Sequence, residues 1–272
     1  MRIVTLTTDL GYRDHYLAIV KAKLFSQEPN LNVIDLSCEI KDNPTSNAAY
    51  IIRNSLPHFP DGTIHLVAVK WIIDKSDLNK NITIDNSRFL ITKYLNQYII
   101  CPDNGLLTLI DPNFNAEVFQ LYYEGENKQH FFLKDVFVDA AIHLCREKEL
   151  TDIASLTHDY YKATSFNCYV SNNVLKGKGV YVDDFGNIIT NITKEDFYNA
   201  IQERNFTFQL PGKGISEIKN TYDEVNLGSP LLIFNSQGFL EVAINGESAF
   251  KMLCIKEVGR KFDFNVVIEI YD

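Results

Sequence analysis

Two residues able to do chemistry stand where apolar, β-branched runs end: Asp9 after "RIVTLTT" and Lys70 after "TIHLVAV". If both runs are strands of one parallel sheet, both side chains reach the crevice beyond its carboxyl edge, where open α/β sheets bind ligands. A carboxylate there accepts hydrogen bonds from a vicinal diol such as a ribose. The competing reading is a plain turn, capped by Asp9 and given its left-handed residue by Gly11. Residue types alone leave both readings open. Lys70 is followed by Trp71, the only tryptophan, and then by Ile72 and Ile73.

Two more stretches carry polar groups between apolar runs. In "VDDFGNIITN", residues 182–191, Asp183, Asp184, Phe185, Gly186 and Asn187 have the composition of a β-hairpin turn. Phe185 is a costly ring to leave at a tip, however. A ring face beside an Asn amide suits a flat nitrogenous base, through stacking and edge hydrogen bonds. "NSQGFLEVAING", residues 235–246, reads as a turn, a strand and a second turn at Asn245–Gly246. Turns of this sort also present N–H groups to a carboxylate or a ring edge. No GxGxxG, P-loop, GxSxG or HExxH motif occurs. The histidines have no ligand spacing, and His65 in a strand and His143 on a helix read as packing or surface residues. Cys38, Cys101, Cys145, Cys168 and Cys254 are odd in number and scattered, which predicts no metal site and reduced thiols in a cytoplasm.

The elements that must position these residues change character along the chain. The first part alternates strands ("RIVTLTT", "LNVIDLS", "TIHLVAV") with helical patterns ("DHYLAIVKAKLFSQEP", "SNAAYIIRNSLPHF", "LKDVFVDAAIHLCREK"). Near-continuously apolar strands between helices predict a mostly parallel sheet covered on both faces. "NITIDN", "RFLITKYL" and "QYIICPDNGLLTLI" read as further strands leading into a helix. Beyond residue 157 strands and turns dominate. The predicted fold class is α/β: an N-terminal mostly parallel α/β sandwich domain over residues 1–160, then a smaller C-terminal β-barrel-like domain over residues 168–272. The boundary falls within residues 156–167.

At 46% hydrophobic and 22% charged residues the chain has the balance of a globular protein. A formal charge of −9 argues against a nucleic-acid partner, which needs a basic face. No run approaches about eighteen apolar residues, so no membrane span is expected. The N-terminus reaches Asp9 too soon to hold a signal-peptide core, which predicts a cytoplasmic protein.

Taken together and in order, these stretches resemble the S-adenosylmethionine (SAM) hydroxide adenosyltransferases, or SAM hydrolases, and their fluorinase and chlorinase relatives. The family's "ITLTTDFG" stands here as "IVTLTTDLG" and "FP-x-GT-x-H" as "FPDGTIH". "PDNGLL" and "DFGNIITNI" are present, and "NSQGFLEVAINGESA" answers "S-x-G-x-LEIA-x-N". The resemblance implies a homotrimer, with each adenosyl ligand between the N-terminal domain of one subunit and the C-terminal domain of its neighbour. SAM is then the substrate or ligand, and no other cofactor is needed. By position, Asp9 would hold the ribose hydroxyls, with Asp14 on the same loop. Asp183 and Ser236 would grip the methionine end. Phe185, Asn187, Asn245 and Gly246 would surround adenine, and Tyr222 would stack on it.

The departures bear on the reaction. Hydrolytic members end the third strand in "VVDPGVG", follow it with an arginine, and carry a histidine in "FHGRD", a trio that activates the attacking water. Here Lys70 takes the acid position, Trp71, Ile72, Ile73 and Asp74 replace the glycine-rich turn, the arginine position falls near Asp77, and Phe132 takes the histidine position. An ammonium about 4 Å from a sulfonium costs roughly 1 kcal/mol in water and about 4 at an effective dielectric near 20. The same charge attracts an anion, which makes Lys70 the candidate anion-facing residue, with no other catalytic residue assigned. Three outcomes remain open: a SAM or adenosine binder with weak hydrolysis, adenosyl transfer to an anion, and a trimeric pseudoenzyme serving as an interaction module.

Overall fold

The computed structural model describes residues 2–41, 44–70, 88–123, 131–164, 167–210, 212–253 and 264–272. Trp71, Ile72, Ile73, Asp74, Asp77, Cys254 and the expected strand "NITIDN" lie outside the described residues. The chain divides into two compact units, Met1–Thr164 and Ser165–Asp272.

In the first unit the apolar runs form β1 (Ile3–Thr8), β2 (Asn32–Ser37), β3 (Ile64–Ala68), β4 (Phe89–Tyr94), β5 (Gln97–Pro102), β6 (Val118–Leu121) and β7 (Ala154–Thr157). They make one sheet in the order β2-β1-β3-β5-β4-β6-β7. β2, β1, β3 and β5 pair in parallel, while β4, β6 and β7 extend the sheet by antiparallel pairing. Helices α1 (Tyr16–Gln27), α2 (Pro44–Ser55), α3 (Leu106–Ile110) and α4 (Val138–Cys145) cover it. Side chains alternate across a strand, so each face receives its own apolar set. On one face Val4, Leu6, Ile64 and Leu66 pack with Leu17, Val20 and Leu24 of α1 and with Val138 and Ala141 of α4. On the other, Val67, Leu90 and Ile99 pack with Ala48, Ala49 and Ile52 of α2 and with Leu106 and Ile110 of α3. Each such valine, leucine or isoleucine contributes about 1.5–3 kcal/mol by leaving water. The pattern "LKDVFVDAAIHLCREK" is not one uniform helix: it opens with a π-helical turn, Leu133–Phe137, before α4.

The second unit is a mixed sheet that curls into a half-barrel. Its strands are β8 (Tyr169–Ser171), β9 (Val174–Val182), β10 (Ile188–Thr193), β11 (Asn205–Leu210), β12 (Lys213–Ile215), β13 (Ile218–Lys219), β14 (Pro230–Phe234), β15 (Phe239–Ile244) and β16 (Asn265–Tyr271). They follow the order β12-β11-β16-β9-β10-β15-β14-β13, with β8 also paired to β9. Leu175, Ile188, Phe208, Leu240, Val242 and Ile268 meet in its core with Phe197 of α5 (Lys194–Ile201). That helix starts where Thr193 and Asp196 cap each other: Thr193 Oγ1 accepts the Asp196 N–H, and Asp196 returns the bond to the Thr193 N–H. A short helix, α6 (Ala249–Met252), follows β15.

One buried polar row crosses the parallel strands of the first unit. Gln97 Nε2 donates to the Leu56 and Phe59 carbonyls at 2.8 and 3.2 Å, which leaves its Oε1 to accept from His65 Nε2 at 2.7 Å. His65 Nδ1 then accepts from the Thr5 hydroxyl at 2.8 Å, so the network assigns a neutral Nε2–H tautomer. Burial holds the His65 pKa below its ordinary value, with the Gln97 bond working against the shift. The unfolded chain protonates this ring near pH 6.5, so its contribution to stability is complete above that pH and is lost as pH falls toward the lowered folded value. Between about pH 7 and about pH 5, the urea midpoint of the parent is expected to fall more steeply than that of a His65→Gln variant. Equal pH slopes in the two proteins would contradict the assignment.

Candidate functional site

The sheet register carries Asp9 and Lys70 to the same edge. Thr7 pairs with Val67 and Thr8 with Ala68, so the segments after β1 and β3 leave the sheet side by side at its carboxyl end. Asp9 Oδ2 accepts the Lys70 backbone N–H at 3.0 Å. From the β5 side, Asn104 Nδ2 donates to the Val69 carbonyl at 2.9 Å and the Lys70 carbonyl at 3.4 Å. Lys70 is held at φ 42, a left-handed conformation that costs a residue with a Cβ about 1–2 kcal/mol. These bonds, at about 0.5–1.5 kcal/mol each, offset that strain. Asp9 is both a turn residue and a carboxylate exposed at the rim. Crowding by the surrounding protein raises its pKa, and the Lys70 N–H opposes the rise.

The loop that starts at Asp9 is tied down by the Gly11 N–H, which donates to the Cys38 carbonyl at 2.6 Å. Asp14 lies exposed on this loop just before α1. Asn104 was not singled out from the sequence, where "PDNGLL" signals only a turn before a helix. In the structure each polar residue of that turn has a separate task. Asp103 Oδ1 accepts the Tyr161 N–H at 2.7 Å, and Arg88 Nε stands 3.4 Å from Asp103 Oδ2. Asn104 fixes the end of β3. Gly105 sits at φ +85 where a Cβ would come within 2.6 Å of Ala163 Cβ.

Phe132 belongs to an aromatic cluster. Its ring centroid lies 4.8 Å from that of Phe89 and 5.4 Å from that of Tyr123, and Phe89 also meets Phe137 at 5.3 Å. A cleft of about 650 Å³ opens between the end of β6 and the π-turn and α4, lined by residues that include Tyr122, Asp135, Asp139 and His143. It lies four strands along the sheet from β1, roughly 19 Å away. Its acidic and histidine side chains already have partners: Asp139 meets Lys23 at 2.6 Å, Asp135 meets Lys134 at 3.0 Å, and His143 Nε2 donates to the Glu149 carbonyl at 2.7 Å.

In the second unit, the stretches at residues 182–191 and 235–246 surround β15. Asp183 and Asn187 close the β9–β10 turn on each other: Asp183 Oδ1 accepts the Asn187 N–H at 2.8 Å and Oδ2 accepts Asn187 Nδ2 at 3.0 Å. Asn187 is buried, whereas Phe185 at the tip is 81% exposed. Gly186 adopts φ +83 against Ser248, and its carbonyl accepts the Phe250 N–H at 2.9 Å. Asn245 Nδ2 donates to the Val225 carbonyl at 2.8 Å, and Gly246, at φ +75, packs where Leu227 would meet any Cβ. Ile188 pairs with Val242, while Thr193 pairs with Phe239. The register thus gathers Asp183, Asn187, Asn245 and Gly246 at one end of β15 and leaves Ser236 at the exposed hairpin tip at the other.

Tyr222 lies between these ends, its hydroxyl donating to Glu241 Oε1 at 2.7 Å. Glu241 occupies the middle of β15 and is 3% exposed. Burial raises its pKa and the nearby Asp183 charge adds to the rise, while hydrogen bonds from Tyr222 and Asn235 oppose it. Burial and the Glu241 bond push the Tyr222 phenol well above its ordinary value. Sequence reading passed over Glu241. Its one signal was a carboxylate inside "FLEVAI", a run otherwise apolar.

Among the described residues no group of three or more His, Cys, Asp or Glu is placed to hold a metal ion, and no helix is long and apolar enough to cross a membrane. Cys38, Cys101, Cys145 and Cys168 are free thiols.

Residues 4–154 match the family described as SAM hydroxide adenosyltransferase N-terminal domain, and residues 177–260 match its C-terminal domain. The (R)-S-adenosyl-L-methionine hydrolase of Methanocaldococcus jannaschii is 26% identical over 92% of this chain and 91% of its own length. A fluorinase from an Actinoplanes species is 23% identical over 89% of this chain and 91% of its own. Among solved structures, an uncharacterized conserved protein from Thermotoga maritima superposes with a TM-score of 0.79 at 25% identity, covering 98% of this chain and 99% of that one.

The Asn104 bonds predict a measurable cost. An Asn104→Ala variant strips the Val69 carbonyl of its side-chain donor and is expected to lose about 1–3 kcal/mol in urea unfolding. A loss below about 0.5 kcal/mol would show that the end of β3 holds its shape without that amide.

Proposed function

Because the chain belongs to the SAM hydroxide adenosyltransferase family, we propose that it binds SAM as a substrate-type ligand, needs no further cofactor, and turns it over weakly or with an altered acceptor. The observation that carries this reading is the Asp9 carboxylate, exposed at the carboxyl rim and oriented by the Lys70 N–H. It is assigned the ribose diol, with Asp14 on the same loop. Asn187, Asn245, Gly246, Phe185 and Tyr222 are assigned the adenine. Asp183 and Ser236 are assigned the methionine end, Ser236 its carboxylate and Asp183 its positive charge. A homotrimer with sites completed between neighbouring subunits, in a cytoplasmic setting, is part of the same reading. The exposure of Phe185 and Leu227, 81% and 80%, suits apolar groups that a ligand or a second copy covers.

Displacement at the ribose 5′-carbon sends the C–S electron pair to sulfur and leaves neutral methionine. The sulfonium is a good leaving group, so the remaining work is to orient the nucleophile and, for water, to accept its proton. The ammonium of Lys70, at the position of the family's acid, is no proton acceptor. Phe132, packed against Phe89 and Tyr123, has no proton to exchange. Losing general-base assistance costs about 10²–10⁴-fold in rate. The positive charge of Lys70 favours a second outcome, transfer of the adenosyl group to a small anion, with Lys70 facing that anion.

Calorimetry with SAM and chromatography of the products test both. Micromolar binding is expected, with adenosine release about 10²–10⁴-fold slower than by the M. jannaschii hydrolase assayed alongside. Asp9→Ala is expected to weaken binding about tenfold or more, the worth of a hydrogen bond to a charged group. If an added halide or other small anion yields a 5′-substituted adenosine, Lys70→Ala should abolish that product. Hydrolysis as fast as the relative's, or an Asp9→Ala variant that binds as tightly as the parent, would overturn the reading.

A further inference from the structure

Glu241 is a carboxylate buried in the centre of a β-strand, and no lysine or arginine pairs with it among the described residues. Burying a charge without an opposite charge is unfavourable unless hydrogen bonds satisfy it. The flanking positions show that an apolar residue fits this strand: Leu240 and Val242 enter the core of the half-barrel, and Ile189 and Ile233 are the cross-strand partners of Glu241. Folding alone would be served by a valine. What the carboxylate adds is reach. It accepts the Tyr222 hydroxyl at 2.7 Å, which holds a ring that is 43% exposed on the turn Tyr222–Glu224.

We infer that Glu241 is a positioning residue for the ligand site: its buried carboxylate fixes the Tyr222 ring in the arrangement that meets the ligand. The inference rests on the proposed binding of SAM, and it assigns Glu241 no contact with the ligand itself. A tyrosine free to swing must be ordered when a ligand arrives, which costs conformational entropy. Holding the ring in advance removes that cost. A strand of otherwise apolar composition is thereby tied to the turn that carries Tyr222.

A double-mutant cycle on SAM affinity separates positioning from simple structural support. The variants are Tyr222→Phe, which keeps the ring and removes its anchor, Glu241→Gln, which keeps the shape and an acceptor oxygen, Glu241→Leu, and Tyr222→Phe combined with Glu241→Leu. Calorimetry gives the affinity of each for SAM, and thermal melting reports folding. Tyr222→Phe is expected to weaken SAM binding about 3–10-fold with its melting temperature within a few degrees of the parent's. Glu241→Leu should weaken binding at least as much, Glu241→Gln should restore part of the loss, and the double variant should be no weaker than Glu241→Leu. Affinity unchanged in Tyr222→Phe, or strictly additive losses in the double variant, would overturn the inference even if Glu241→Leu fails to fold. Absence of SAM binding by the parent protein would instead overturn the functional reading on which it rests.

Discussion

The Asp9 carboxylate accepting the Lys70 N–H joins the ends of two parallel strands, and much of the first unit's functional rim follows from that bond. β1 and β3 leave the sheet side by side, and a chain emerging from a buried strand has backbone groups that must find partners. Asp9 meets the Lys70 N–H, Asn104 meets the carbonyls of Val69 and Lys70, and between them they hold Lys70 in a left-handed turn. The direction in which the chain departs after β3 is therefore dictated from both sides. The same bond orients Asp9, so the residue assigned to the ribose also helps to build the turn that departs most from the hydrolytic family pattern.

The second unit works differently. Its polar groups do not stand at strand ends in a common crevice but run along β15. Asp183–Asn187 and Asn245–Gly246 lie at one end, Tyr222 above the middle, and Ser236 at the tip. Glu241, beneath Tyr222, accepts its hydroxyl at the middle of the line.

The alternation of apolar strands and helical stripes made the first unit's architecture legible, because period-2 and period-3.6 burial leave strong patterns. Short segments were not. β6 and β7 span four residues each, too few to show a period, and the π-turn before α4 has the same apolar spacing as the helix it joins. Asp9 and Phe185 could be singled out in the sequence because a carboxylate at the end of an apolar strand and a ring at a turn tip stand out. Asn104 and Glu241 could not, since their roles depend on partners 35 and 19 residues away in sequence. The separation of Asp183 from Ser236 along β15 also needed the strand register, which no motif encodes. Phe132 was identified as a departure from the family, but its packing against Phe89 and Tyr123 became visible only with the fold in hand.

The central claim is that this chain keeps the adenosyl-binding half of its family's chemistry while the groups that activate water have been replaced. A crystal structure of the protein grown with SAM tests it most directly. The account predicts intact SAM, its ribose hydroxyls on Asp9, its adenine against Tyr222 and between the Asn187 and Asn245 turns, and its methionine reaching the Ser236 tip. Separate adenosine and methionine in the site, or SAM bound away from Asp9, would contradict it.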